Sequence, residues 1–362
     1  MARVLLAMSG GVDSSVAAHL LQTEGHDVVG VFMRHGVSEA NQCAVGPDAE
    51  SSAHKQGCCS AADAADARRV ADRLRIPFYA LDLQSDFDRI IDYFVDEYSA
   101  GRTPNPCIVC NQWLKFGRLF AYADSIGAEF VATGHYARSL EHRPGEFCLT
   151  RGVDARKDQS YVLFGIPRDR LARMLLPVGR YTKSTIRDLA LRLELRVAEK
   201  RESQEICFVP PGQHGRLVRR QRPGEDRSGN LVTVDGRVVG RHDGIENFTV
   251  GQRKGLGVAM GVPVFVVRID PTTCDVVIGP RAALARHRVT AANTNWLADV
   301  PDRPFPCTAK IRYNSPPAPA TAVRLAAQRI RVEFEQPVYG VAPGQAVVCY
   351  ASDRVLGGGW IE

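Results

Sequence analysis

No stretch of this chain approaches roughly 18 uncharged apolar residues, so nothing in it is long enough to cross a bilayer as a helix. The first apolar run, residues 4–8, is too short for the core of a secretory signal. Cysteine is sparse for a disulfide scaffold, ten in 362 residues, so a cytoplasmic, reducing location is expected rather than a secreted framework. A strong excess of polarity is also missing. Hydrophobic residues at 45% and charged residues at 24% exclude a disordered tail, and the length allows two or three domains with real cores.

The net charge of +6 conceals an asymmetry. Residues 1–100 carry 8 Lys/Arg against 15 Asp/Glu, and residues 101–362 carry 38 against 25. A basic remainder behind an acidic start suits a polyanionic partner met away from the N-terminus, although scattered surface arginines give the same balance.

The first two hundred residues alternate strand and helix. Strands are expected at 3–8, 27–33, 77–82 and 129–133, and helices at 14–21, 61–74, 85–98 and 112–126, with helical signals again over 161–193. That alternation predicts an α/β fold with a doubly wound parallel sheet and ligands at the carboxyl ends of its strands. After about residue 210 glycine and arginine become dense, and 229–236 reads as a hairpin. Strand-like alternation at 307–312, 321–325, 330–334 and 346–350 predicts a small antiparallel β-barrel. The expected domains are 1–209, a small mixed central domain over 210–286, and 287–362. Residues 34–60 stand apart as an insertion ending in Gly57-Cys58-Cys59.

The strongest local signal is Ser9-Gly10-Gly11-Val12-Asp13-Ser14-Ser15, between the first strand and the first helix. Two glycines let the backbone bring its N–H groups against an anion, and the following helix points its positive end at the same place. The loop lacks the lysine of a Walker A motif. It resembles the pyrophosphatase loop of the ATP-pyrophosphatase superfamily (PP-loop, adenine nucleotide α-hydrolase-like), whose members adenylate an acceptor oxygen and release pyrophosphate. The resemblance implies ATP contacts from Ala7, Met8, Ser9, Gly10, Gly11, Val12, Asp13 and Ser14, with Asp13 helping to hold Mg²⁺ on the pyrophosphate. Met33 would lie near the adenine, and Gly134 would approach the nucleotide through its backbone.

Thr103-Pro104-Asn105-Pro106-Cys107-Ile108-Val109-Cys110-Asn111 opens a helix behind two stiffening prolines. A thiol at a helix N-terminus is a better thiolate. A second cysteine, Cys207, lies in Glu202-Ser-Gln-Glu-Ile-Cys207-Phe208. Cys-x-x-Cys alone suits a zinc half-site or a redox pair, but no second such pair or His pair follows, and the thioredoxin context is absent.

Taken with the loop, these segments resemble the tRNA-specific 2-thiouridylase (MnmA) family over essentially the whole chain. Gly134-His135-Tyr136-Ala137, Lys157-Asp158-Gln159-Ser160-Tyr161, Phe248-Thr-Val-Gly-Gln-Arg-Lys-Gly255, Ile311-Arg312-Tyr313-Asn314 and Pro343-Gly-Gln345-Ala346 follow in family order. The resemblance implies ATP-dependent sulfuration at C2 of the wobble uridine (U34) of tRNA. Cys207 would carry a persulfide supplied by a sulfur-relay protein or cysteine desulfurase. Cys110 would be the nucleophile that ends in a transient disulfide with Cys207. Asn105, Pro106 and Cys107 would touch the target base. His135, Lys157, Asp158, Gln159, Arg312, Tyr313 and Gln345 would meet tRNA, and the chain would act as a monomer away from membranes.

The commoner family pattern is Asn-Pro-Asp where this chain has Asn105-Pro106-Cys107, and a thiol does not directly replace a carboxylate in proton transfer. Cys58, Cys59 and Cys107, with Cys110 and Cys207, raise the expectation of an iron–sulfur cluster, against which stand plain thiols. Cys43, Cys148, Cys274, Cys307 and Cys349 read as small core or surface residues. Two rivals remain at this point: a PP-loop synthetase adenylating a small molecule, and an RNA-binding protein without catalysis.

Overall fold

The computed structural model describes residues 1–34, 60–200, 206–210 and 212–362, which divide into two compact units. The first comprises residues 1–90, 107–210 and 353–355, and the second comprises 91–106, 211–352 and 356–362.

In the first unit β1 (Arg3–Ala7) leads to α1 (Val12–Thr23) and β2 (Asp27–Arg34). Next come α2 (Ala61–Leu74), β3 (Phe78–Asp82) and α3 (Gln84–Ser99), the last running on into residues of the second unit. Then follow α4 (Pro106–Cys110), a π-helix (Asn111–Arg118), α5 (Leu119–Ser125) and β4 (Phe130–Ala132). A hairpin of β5 (Ala137–Arg143) and β6 (Glu146–Arg151), the short β7 (Met174–Leu175) and α6 (Lys183–Arg192) complete the unit's longer elements.

The sheet has the order β3-β2-β1-β4-β7, and every pairing is parallel. Chain order runs outward in opposite directions on the two sides of β1, which makes the carboxyl end of β1 the switch point where such sheets bind ligands. Val4, Leu5 and Leu6 are fully buried, as a central strand covered on both faces requires. Leu6 packs in one cluster with Val16, Ala17, Phe32 and Ile186. Truncating such a leucine to alanine costs about 2–5 kcal/mol, because the cavity it leaves collapses only in part.

Two expectations are corrected here. Residues 161–193 are not one helical region: three 3-10 segments, Ser160–Leu163, Arg168–Arg173 and Pro177–Arg180, precede α6. Pro167 and Pro177 lack the N–H a helix needs. Gly179 also lies against β5, where an added Cβ would come 1.7 Å from the Ala137 carbonyl oxygen. The helix opened by residues 103–111 starts at Pro106 as α4, and over Asn111–Arg118 it continues as a π-helix where an ordinary helix over 112–126 is expected. An added Cβ on Gly117 would lie 2.9 Å from the Gln112 carbonyl oxygen five residues back, so this wide turn has room only for glycine.

The second unit contains α7 (His214–Gln221) and a four-stranded sheet of β8 (Gly229–Thr233), β9 (Val238–His242), β10 (Phe265–Ile269) and β11 (Val276–Gly279). Leu231, Phe248, Leu256 and Ile278 fill its core. Six further strands form the barrel: β12 (Ala285–Trp296), β13 (Phe305–Lys310), β14 (Ala318–Leu325), β15 (Arg329–Tyr339), β16 (Ala346–Ala351) and β17 (Arg354–Ile361). They follow the order β12-β15-β14-β13-β16-β17, and antiparallel pairing of β12 with β17 closes it. Small interior residues, Ala291, Ala309, Ala320 and Ala322 among them, suit so narrow a barrel.

Candidate active site

The phosphate loop leaves the carboxyl end of β1 and enters α1 at Val12, with Gly11 at the N-cap and no side chain capping it. The first N–H groups of α1 are therefore available to an anion. The hydroxyls brace the loop from inside. Ser14 Oγ accepts from the Ser9 N–H (3.2 Å), and Ser15 Oγ donates to the Gly11 carbonyl (2.8 Å). Gly10 has φ +69°, and a Cβ there would meet the Asp63 carbonyl oxygen at 2.2 Å. Gly134 packs backbone to backbone on the first turn of α1, since its Cβ would lie 2.7 Å from Ser14 N. Ala7, Met8 and Val12 bury their side chains, which leaves only backbone for a ligand, and Met33 is half-buried at the end of β2.

Asp13 is engaged. Lys183 Nζ donates to both its carboxylate oxygens, at 2.7 and 2.8 Å, and Tyr136 Oη donates to one of them at 2.6 Å. A protein-held Mg²⁺ needs carboxylate oxygens open to it. Among the described residues, no group of three or more His, Cys, Asp or Glu is placed to hold a metal. The residues present do not fit the Mg²⁺ role expected of Asp13. Its charge is met by Lys183 instead.

Cys107 is exposed and lies in the first turn of α4, while Cys110 is half-exposed and closes that helix. Just after Cys110, the buried Asn111 donates from Nδ2 to the Val162 carbonyl (3.1 Å) and anchors the start of the π-helix. Cys207 is also half-exposed. The next residue, Phe208, stands edge-on to the buried Phe87, with ring centroids 5.5 Å apart, which fixes the chain beside the thiol. The structure thus gathers the phosphate loop, Cys110 and Cys207 into one unit. Cys58 and Cys59, expected as cluster ligands with Cys107, lie outside the described residues, and nothing described supports an iron–sulfur site.

The residues expected to meet tRNA divide by burial. Tyr313 is exposed, with Lys310 Nζ 5.7 Å from its ring, and Lys157 and Asn105 are half-exposed. Pro106 is buried. His135 is only 7% exposed, and Thr133 Oγ1 lies 2.7 Å from its Nδ1. Burial, reinforced by the nearby Lys115, pushes its pKa well below the usual imidazole range, so the ring is neutral. Asp158 is buried and accepts the N–H groups of Gly152 and Ser160. Gln159 Oε1 accepts the Tyr136 N–H (2.9 Å). These two side chains organise a turn.

In the second unit the buried Gln345 donates to the carbonyls of Thr103 (3.0 Å) and Pro104 (2.9 Å), while the Thr103 N–H donates to the Pro343 carbonyl (2.7 Å). Arg312 donates to the Val250 carbonyl and thereby supports the turn at Gly251. Sequence reading missed Lys183, Lys200, Asp63 and Asp66 around the loop. Only the pairing across 170 and 190 positions reveals the two lysines.

The chain is similar to known proteins along its whole length. Residues 2–211 match a family model described as the tRNA methyl transferase HUP domain. Residues 220–280 match a PRC-barrel domain of the same name, and 286–361 an aminomethyltransferase β-barrel domain. A protein of Rhodopirellula baltica named tRNA-specific 2-thiouridylase MnmA is 54% identical, over 100% of this chain and 96% of its own. Proteins of that name from Carboxydothermus hydrogenoformans (47% identical, 99% of this chain and 97% of that one) and Clostridium perfringens (46%, 99% and 98%) are similar. The domain descriptions name methyl transfer and the full-length relatives name 2-thiolation. The relatives match the whole chain and carry the more specific statement.

Proposed function

The chain belongs to the tRNA-specific 2-thiouridylase family, and from that premise we propose that it replaces the C2 oxygen of the tRNA wobble uridine (U34) with sulfur, using ATP. It is a tRNA-modifying transferase. The small-molecule synthetase is not favoured, because relatives named for tRNA 2-thiolation match from end to end.

The uridine C2 oxygen attacks the α-phosphorus of ATP, and pyrophosphate leaves while the N–H groups at the start of α1 hold the anion. The base is now O-adenylylated at C2, with AMP as its leaving group. The terminal sulfur of a Cys207 persulfide attacks C2, and AMP departs with the original oxygen. The Cys110 thiolate then attacks Cys207 Sγ. The transferred sulfur stays on the base, and a Cys110–Cys207 disulfide forms. Alternatively, Cys110 attacks first and frees sulfide, which then displaces AMP. A dithiol reductant restores both thiols, and a sulfur-relay protein or cysteine desulfurase recharges Cys207.

Mg²⁺ accompanies the ATP phosphates in this reading and is not a resident of the protein. Asn105 and Cys107 lie against the splayed base, while Lys157, Arg312 and Tyr313 meet tRNA by charge and stacking. His135, Asp158, Gln159 and Gln345 support those segments from inside. No described helix is long and apolar enough to cross a membrane, and a reducing, cytoplasmic setting suits a transient disulfide.

The supporting observation is that one compact unit carries the phosphate loop, Cys110 and Cys207. The test supplies purified protein with unmodified tRNA, ATP and a persulfide donor. It measures tRNA-dependent pyrophosphate release and 2-thiouridine. Cys207→Ser should stop persulfide-driven thiolation and leave adenylation intact. Retained thiolation by that variant, in cells lacking their own enzyme, would sink the mechanism.

A further inference from the structure

Lys200 lies 190 positions from Gly10 in sequence, yet its ammonium sits on the phosphate loop. Nζ donates to the Gly10 carbonyl (2.9 Å), to Asp63 Oδ1 (2.6 Å) and to Asp66 Oδ2 (2.7 Å). Gly10 takes the left-handed conformation, φ +69°, and leaves no room for a Cβ against the Asp63 carbonyl. The loop therefore rests backbone to backbone on the first turn of α2. Asp63 is committed there by a second tie. Its Oδ2 accepts the Ser60 N–H in a capping box that starts the helix. Asp66 also takes Arg69 on its Oδ1.

This arrangement has an electrostatic cost if the loop holds a polyphosphate. Two carboxylates beside a site for a multiply charged anion oppose binding, and partly buried charges are screened poorly by salt. Among the described residues, Lys200 is the one cation that touches both carboxylates and the loop itself. Burial works against its charged form, but the hydrogen bonds to Asp63 and Asp66 outweigh burial and raise its pKa. It stays an ammonium through the physiological range.

We propose that Lys200 is a positioning residue for ATP. It draws the Gly10 carbonyl out of the anion's way, so that the loop presents N–H groups, and it shields the polyphosphate from Asp63 and Asp66. The proposal rests on the reading of the loop as an ATP site. Lys200 acts through the loop backbone and through two carboxylates, with no contact to the reacting atoms.

The test measures tRNA-dependent pyrophosphate release against ATP concentration in the full-length protein. Lys200→Met should raise KM for ATP about tenfold with KM for tRNA unchanged, the scale of one lost charge–charge partner near an anion. Lys200→Arg keeps the charge and the reach and should stay within about threefold of the parent. Asp66→Asn in the parent should lower KM for ATP about twofold, and in the Lys200→Met background it should recover part of the loss.

A purely structural lysine predicts the opposite for Asp66→Asn, a KM for ATP that is unchanged or raised, and that result overturns the proposal. So does a Lys200→Met protein that loses kcat with its KM for ATP intact. If Lys200→Met fails to fold, Asp66→Asn alone decides. Absence of tRNA-dependent pyrophosphate release in the parent protein would overturn the ATP reading itself, an outcome distinct from unchanged KM values among the variants.

Discussion

Lys183 Nζ faces both carboxylate oxygens of Asp13, at 2.7 and 2.8 Å, so the one acidic residue of the phosphate loop is neutralised by a lysine from α6. The Lys183 side chain is 9% exposed and that of Asp13 is 29% exposed. Lys183→Met would leave a carboxylate on the loop with Tyr136 as its remaining partner among the described residues. A fully buried pair broken on one side costs about 3–5 kcal/mol, and partial exposure of Asp13 brings the expected loss to about 1–3 kcal/mol. Urea unfolding of Lys183→Met, Asp13→Asn and the double variant checks this. The double variant should be less destabilised than the sum of the singles, and strict additivity would refute a coupled pair.

The thiols give a second prediction. Cys107 is exposed, and no described cluster of ligands surrounds it. Protein purified without oxygen should be fully active with no stoichiometric iron or labile sulfide. Cys107→Ser should retain thiolation within about tenfold, whereas Cys110→Ser and Cys207→Ser should each lose persulfide-driven product by more than about a hundredfold. Iron that tracks activity through purification would reverse this view.

How much of this could be read from the sequence depends on range. The phosphate loop, β1, β2 and α2 were legible because a local pattern carries each: an apolar strand, two glycines, and an alanine-rich helix, to which the structure adds the Ser60 cap. The barrel was legible in part. β13, β14, β15 and β16 alternate, but β17 reads Arg-Val-Leu-Gly-Gly-Gly-Trp-Ile and shows no period of two. There the glycines are dictated by close approach, since a Cβ on Gly357 would meet the Asn295 carbonyl oxygen at 2.3 Å. The helical signal over 161–193 holds for α6 and not for one continuous α-helix before it, because apolar spacing survives in 3-10 turns while prolines break the α-helical ladder. Lys183 and Lys200 were invisible for a different reason. A lysine at a helix start, as Lys183 is, or just past a helical turn, as Lys200 is, reads as a solvated charge, and only folding brings it to a carboxylate more than a hundred residues away.

His135 supplies a pH prediction. Burial holds its imidazole pKa well below the ordinary value of about 6.5, with Lys115 adding to the effect. The unfolded chain therefore binds a proton that the folded chain refuses over the interval between the two values. Stability rises with pH through that interval, is fully present above about pH 6.5, and is lost as pH falls toward the folded pKa. Urea midpoints measured from about pH 5 to 7.5 should climb, and His135→Gln should flatten part of that climb. A slope unchanged by the substitution would show that other groups carry the dependence.

Gln345 carries the last prediction, because it separates support from contact. Its amide donates to two carbonyls, those of Thr103 and Pro104, in the proline-rich segment that leads to Asn105. Pro104 has no N–H of its own to anchor the segment. Gln345→Ala would leave the two buried carbonyls without this donor, at a cost of about 1–3 kcal/mol. Gln345→Glu should be worse, since at neutral pH it sets an acceptor against two acceptors. If Gln345 acts by holding this segment, both variants raise KM for tRNA and lower thermal stability together, in the order Glu then Ala. A residue that only touched RNA would raise KM for tRNA and leave the melting temperature unchanged. Differential scanning calorimetry beside tRNA titration of the rate therefore tells the two roles apart, and the burial of the amide favours the first.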